Sequence, residues 1–152
     1  MNRDQLTAQG YSIDTAAGKM DIPVIHAYLS NESYWSKNIP YHIVEKYVKH
    51  SLNFGVFYQD KQVGYARVIT DFTTIAYLGD VFILQEHRGK GLSKWLMQTI
   101  MEHPELQGLR RWILATADAH GLYKQFGWTP MKAPDRWMEL HDPDVYSVKS
   151  NS

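Results

Sequence analysis

An α/β fold of the α+β kind, with a mixed, mostly antiparallel sheet flanked by helices, is what the sequence predicts. Three observations carry it. Phe54–Gln59 and Gln62–Thr70 are rich in aromatic and β-branched residues and stand either side of Asp60-Lys61, which reads as an antiparallel hairpin. Ile75–Leu84 is almost wholly apolar, as a strand in the middle of a sheet is. It leads through a glycine-bearing loop into Leu92, Trp95, Leu96, Thr99 and Ile100, which fall on one helical face before Pro104 stops the run.

The remaining elements follow in chain order. Tyr11–Thr15 reads as a short first strand, and Pro23–Leu29 as a short helix that gives way to the aromatic, polar stretch Ser30–Ile39. Pro40 suits the first turn of a helix, and Ile43, Val44, Tyr47 and Val48 then mark one buried stripe. A turn at Asp71–Thr74 enters Ile75–Leu84, expected to be buried on both faces, with Gly79 as a bulge or point of close approach. Trp112–Ala115 reads as a strand, Ala119, Leu122 and Phe126 as a helical stripe, and Pro134–Glu139 as a loop entering a last strand. One domain over residues 1–152 is expected, with loose ends at about 1–9 and 147–152.

Composition narrows the function classes. Sixteen basic and sixteen acidic residues give no net charge, so no global field recruits nucleic acid or an anionic membrane. Zero cysteines exclude disulfides, thiolate metal sites and thiol nucleophiles. The N-terminus lacks a signal peptide's apolar core and no run reaches the ~20 apolar residues of a membrane span, so a cytoplasmic location is expected. The seven histidines are scattered without a His-x-x-x-His pair, and no metal is expected. Arg110-Arg111 and Lys46-Tyr47-Val48-Lys49 read as solvated faces rather than nucleic-acid contacts.

The chemistry concentrates after the apolar strand, in Gln85-Glu86-His87-Arg88-Gly89-Lys90-Gly91-Leu92-Ser93. Two glycines let the backbone approach a ligand, and the unpaired amides of the first helical turn attract phosphate. Arg88 and Lys90 add positive charge there. An ordinary strand-to-helix turn, with glycines serving only the bend, is the competing reading. Neither glycine continues into the Gly-Lys-Ser/Thr of a nucleotide P-loop, and Lys94 stands where a dinucleotide fingerprint needs its third glycine.

Arg88-Gly89-Lys90-Gly91-Leu92-Ser93 after a hydrophobic strand, followed about thirty residues later by Ala119-His120-Gly121-Leu122-Tyr123-Lys124-Gln125-Phe126-Gly127-Trp128, resembles the GCN5-related N-acetyltransferase (GNAT) family over roughly residues 10 to 141. Ser93, Gln85, Thr116 and Trp128 depart from that family's pattern without removing a backbone donor. The resemblance implies a sheet of about six or seven strands and acetyl-CoA as co-substrate. It also implies a cofactor site of Val81, Phe82, Ile83, Arg88 to Ser93, Thr116, Ala119 and Tyr123, with Leu92 among the loop amides.

Acyl transfer to an amine needs a group for the ammonium's proton, donors for an oxyanion and support for a departing thiolate. The resemblance places Tyr123 beside the thioester sulfur as leaving-group acid, its phenol pKa of ~10 lying close to that of a thiol. From spacing alone Tyr123 reads rather as a core tyrosine with a satisfied hydroxyl. The resemblance assigns the oxyanion to a backbone N–H of Val81, Phe82 or Ile83. Asp80, the ionisable residue inside the apolar strand, is the candidate base, directly or through water; pointing to solvent at the strand's bulge or capping a backbone N–H is its other reading.

In the family the segment between the first two strands walls the acceptor site, which here implies Tyr28, Trp35 and Tyr41, with Tyr34 and Glu32 nearby. A small-molecule or peptide amine is the expected partner, with a homodimer possible. A non-catalytic acyl-CoA-binding or regulatory module and a nucleotide-phosphate binder remain the competing classes.

Overall fold

The computed structural model describes residues 1–147. The first strand β1 (Tyr11–Asp14) is preceded by helix α1 (Arg3–Ala8) and followed by helices α2 (Ile22–Asn31) and α3 (Tyr41–Lys49). Strands β2 (Leu52–Tyr58), β3 (Lys61–Thr70) and β4 (Ile75–Ile83) then run consecutively. Helix α4 (Leu92–Met101), strand β5 (Arg111–Leu114) and helix α5 (His120–Lys124) complete the regular elements.

The five strands lie in sequence order in one sheet. β1 to β4 pair antiparallel, and β5 joins β4 in parallel with Ile75 opposite Arg111 and Leu78 opposite Leu114. Short turns join β2 to β3 and β3 to β4, α2 and α3 lie between β1 and β2, and the parallel pair needs the α4 crossover. Alternation sorts β3 onto two cores, and the bulge that leaves Val63 without a partner on β2 turns it to the same core as Ala66 and Val68. Val63, Ala66 and Val68 pack with Phe54, Leu78 and α4's Leu92, Leu96, Met97 and Ile100. Tyr65 faces the other way, joining Phe57, Phe82 and the inner residues of α2 and α3, Ile25, Leu29, Val44 and Val48. The Tyr65 hydroxyl donates to buried Asn53, which in turn donates to the carbonyl of Val48 at 2.8 Å, so a polar group inside this core is satisfied.

Four expectations are corrected. Residues 1–9 are not loose throughout, because Asn2 and Gln5 cap α1 reciprocally, each side chain accepting from the other's backbone at 2.9 Å, and Leu6 is buried against the sheet. The 147–152 end lies outside the described residues beyond Ser147. The sheet has five strands among the described residues, not six or seven. Pro130, Pro134 and Pro143 interrupt the chain after α5, and the backbone bonds there are local, from Arg136 to Ala133, Trp137 to Pro134 and Val145 to Asp142. Among the described residues no strand therefore follows the Pro134–Arg136 turn. Finally, β4 is not buried on both faces: Ile75 and Tyr77 are exposed, and Gly79 to Val81 are half-buried.

No described helix is long and apolar enough to cross a membrane.

Candidate active site

The ladder between β4 and β5 ends at Leu78 and Leu114, and beyond that point the two strands part. β4 also carries a bulge here. Tyr65 opposes Phe82 and Arg67 opposes Gly79, so Asp80 and Val81 have no partner on β3. The positive φ of the bulge, 53°, belongs to Asp80 rather than Gly79. Short polar side chains tolerate the left-handed region better than most, which is why an aspartate can hold it.

The parting opens a cavity of about 870 Å³. Gly79, Asp80 and Val81 form one wall, and Ala115, Thr116, Ala119 and Tyr123 the other. Trp35 comes over from the segment after α2, Arg67 and Tyr47 lie on the side of the second core, and Glu139 to Tyr146 close the far end. Tyr34 and Trp35 form a strap across the opening. The Trp35 indole N–H donates to Asp80 Oδ1 at 2.8 Å, the Ala117 N–H donates to the Tyr34 hydroxyl at 3.0 Å, and the two rings meet edge to face at 5.0 Å.

Tyr123 is 7% exposed and reaches the cavity from α5. Its hydroxyl makes no hydrogen bond within the described residues. Burial, with smaller contributions from Tyr34 and Asp118, pushes its pKa up to about 12. The phenol is thus neutral throughout the physiological range. Donation of a hydrogen bond is open to it, whereas full ionisation is less accessible than for a free tyrosine.

At the start of α4, Gly89 and Gly91 take φ of 78° and 89°. No backbone or side-chain acceptor among the described residues meets the amides of Gly89, Lys90, Gly91, Leu92, Ser93 or Lys94. The Arg88 amide is used, donating to the Gln85 carbonyl at 3.2 Å. Its guanidinium is used as well. Nε donates to the carbonyl of Ile83 at 2.8 Å, and a terminal nitrogen donates to the Tyr28 hydroxyl at 3.2 Å. Arg88 therefore ties the loop to the end of β4, and the fork expected on a phosphate points back toward the strand. Lys90, half-buried, makes no ion pair among the described residues.

Other expected residues divide. Trp35, Asp80, Val81, Thr116, Ala119 and Tyr123 meet at the cavity. Phe82 and Ile83 are buried in the two cores, and only their backbone is available for a ligand. Tyr28 is stacked flat on Phe82 with ring centroids 4.0 Å apart, and Tyr41 is 42% exposed against His26; neither lines the cavity. Thr116 Oγ accepts from the Ala119 N–H at 3.1 Å, shaping the entry to α5.

Arg67, Tyr47 and Tyr77 were not singled out by sequence reading. A signal existed for Arg67: it is the charge inside the apolar alternation of β3, as Asp80 is in β4. The two form an ion pair, Arg67 Nε to Asp80 Oδ2 at 3.6 Å, with side chains 17% and 11% exposed. No group of three or more candidate metal ligands occurs among the described residues.

Comparison with known proteins agrees with this architecture. A protein of Gibberella zeae, provisionally described as an acetyltransferase, is 31% identical over 77% of each chain. A crystal structure of a GNAT-family protein of Xanthomonas campestris pv. campestris, also a provisional acetyltransferase, is 51% identical, covers 91% of this chain and 97% of its own, and superposes with a TM-score of 0.89. A Deinococcus radiodurans structure at 14% identity and TM-score 0.72, covering 93% and 95% of the two chains, shares the fold. The family model for the Acetyltransferase (GNAT) family spans residues 22–128, from α2 through the parted strands to the end of the Tyr123 segment. With β2 to β5, the parting of β4 from β5 and the open α4 amides inside that span, the chain belongs to the GNAT acetyltransferase family.

Proposed function

We propose that the chain transfers an acetyl group from acetyl-CoA to a primary amine of a small molecule or peptide. The observation that carries this reading is the parting of β4 from β5 beside a helix start whose amides, Gly89 to Lys94, are unpaired. Unpaired amides at a helix N-terminus, backed by the dipole and by Lys90, suit a diphosphate. A gap between two parted strands offers backbone groups of β4 and β5 to an extended amide-bearing arm. Together they fit coenzyme A, whose thioester supplies the activated acetyl group.

In this reading the acceptor ammonium loses one proton, its nitrogen bonds to the acetyl carbon, the carbon–sulfur bond breaks, and the second proton that the nitrogen sheds reaches the departing sulfur through water. The Val81 amide, beside the bulge, stabilises the oxyanion. Asp80 takes up the ammonium's proton through water. Tyr123 donates a hydrogen bond to the departing sulfur. From a phenol near 12, complete transfer to a thiolate of pKa ~8.5 is uphill by roughly 5 kcal/mol, so a hydrogen bond without full transfer is the role the burial favours. No metal is assigned a part.

The reading is tested in two steps. Acetyl-CoA at about a hundred times its Kd is expected to stabilise the protein by about 2.7 kcal/mol in thermal unfolding, with no shift from ATP or NAD. Addition of an amine is then expected to release free thiol. Stabilisation without thiol release across an amine panel leaves a binding module, and stabilisation by ATP alone removes the acyl-CoA reading.

A further inference from the structure

We propose that Arg67 is a carboxylate-docking residue of the acceptor site, and that the acceptor is a zwitterionic amino acid rather than a simple amine or a polyamine. The inference rests on the transferase reading above and deepens it by naming the acceptor class.

Arg67 lines the cavity from β3, opposite Gly79 and next to the bulge. Its guanidinium carbon lies 3.9 Å above the Tyr47 ring, and its side chain is 17% exposed. A guanidinium has five N–H donors, and an unmet donor away from water is costly. Yet the Arg67 guanidinium donates no hydrogen bond among the described residues, and its Nε is sealed from solvent without a partner. Its one ionic contact among the described residues, Nε to Asp80 Oδ2 at 3.6 Å, is longer than a hydrogen bond.

A purely structural pair would close as a two-pronged bridge. Here one Asp80 oxygen accepts from the Trp35 indole at 2.8 Å and the other stands 3.6 Å from Arg67 Nε, so the pair is not closed. The terminal nitrogens of Arg67 meet no acceptor among the described residues, in a side chain that lines the cavity. An incoming carboxylate completes them in the geometry a guanidinium prefers.

The other charges on the cavity select for a zwitterion. Asp80, Asp118 and Glu139 are the carboxylates of the lining, with Asp118 and Glu139 exposed at its rim, and His141 is the remaining basic side chain. An anion lacking an amine meets three carboxylates. A polyamine brings positive charge onto a half-buried guanidinium, where water screens poorly. An amino acid presents each pole to its opposite, its carboxylate to Arg67 and its ammonium to Asp80 and the aromatic faces of Trp35 and Tyr77.

The test uses matched triplets: glycine, leucine and phenylalanine, each against its amide and its decarboxylated amine. Thiol release from acetyl-CoA is measured with the full chain. For at least one triplet, kcat/KM of the amino acid is expected to exceed those of both analogues by about tenfold or more, through KM. Arg67→Gln should abolish that advantage, bringing kcat/KM of the amino acid down to the level of its amide and its decarboxylated amine, and Arg67→Lys should restore part of it.

Calorimetric binding of the N-acetyl amino acids and of the N-acetyl amines, with coenzyme A present, gives a readout that does not need turnover. Carboxylate-dependent binding that Arg67→Gln removes, without thiol release from any amine, upholds Arg67 and overturns the transferase reading. Thiol release with equal or better use of the amides, decarboxylated amines or spermidine overturns the Arg67 proposal and leaves the transferase reading in place. Absence of carboxylate-dependent turnover and binding in the wild-type chain also overturns it, independently of whether a variant folds.

Discussion

Replacing Tyr123 with phenylalanine is expected to lower turnover by about tenfold or more while the affinity for acetyl-CoA stays nearly unchanged. The hydroxyl forms no hydrogen bond within the described residues, so its removal leaves no orphaned partner, and the ring keeps its packing against Trp128 at 5.9 Å between centroids. Stability is therefore expected to change by less than about 1 kcal/mol. The pH dependence gives a second check. Burial raises the phenol's pKa to about 12, so the proton is present at every lower pH and Tyr123 adds no limb to the profile below that value. Rate–pH curves of the wild type and of Tyr123→Phe should run parallel from about pH 6 to 9.5, both rising as the acceptor ammonium loses its proton. An unchanged rate, or a limb present in the wild type and missing in the variant, contradicts the assigned role.

Ser93→Pro is expected to weaken acetyl-CoA binding by roughly tenfold to a hundredfold, the worth of one hydrogen bond to a charged group. Ser93 is the second residue of α4, and its amide has no internal partner. Proline in a first turn removes that donor without breaking the intrahelical ladder. Isothermal titration measures the loss, and the melting temperature without ligand shows whether the helix start has survived. Gly91→Val is expected to be harsher and less specific. Gly91 holds φ 89°, and a Cβ there falls 2.9 Å from the Met1 carbonyl oxygen, so the variant loses stability as well as affinity. Wild-type affinity in a folded Ser93→Pro protein takes that amide out of the cradle.

Much of the fold could be read from the residues because its periodicities are clean. The stripe in α4, the alternation in β2 and β3 and the turn before β4 each reflect one element against one core. β4 misled for a physical reason. An apolar run records only that its side chains avoid bulk water, and the walls of a ligand cleft do so nearly as well as a core. The parting of β4 from β5 depends on where a ladder ends, which hydropathy does not encode. The bulge was placed at Gly79 by glycine's backbone freedom, yet Asp80 carries the unusual φ because Arg67 and Trp35 hold its side chain from two sides.

The candidate site was legible to the same degree. Tyr123 and the loop glycines stood in motifs, and the structure brings Tyr123 to the cavity and leaves the amides after Arg88 unpaired. Arg88 looked like a phosphate fork because charge beside glycine suggests one. Its actual partners, the Ile83 carbonyl and Tyr28, lie five and sixty positions away in the chain. Tyr28, Trp35 and Tyr41 share a composition but not a role, since Tyr28 stacks on Phe82 from α2 while the segment after that helix carries Trp35 to Asp80. Arg67 was passed over because a lone arginine in a strand is ordinarily a surface residue, and only the tertiary pairing with Asp80 reveals it as part of the cavity.

Amide chemical shifts recorded while coenzyme A is titrated into the labelled protein test the central claim most directly. The account predicts that the largest perturbations fall on Gly89 to Lys94 and on Val81, with β1 and α3 unmoved. Perturbations centred on another surface, with the α4 start unchanged at saturation, contradict it.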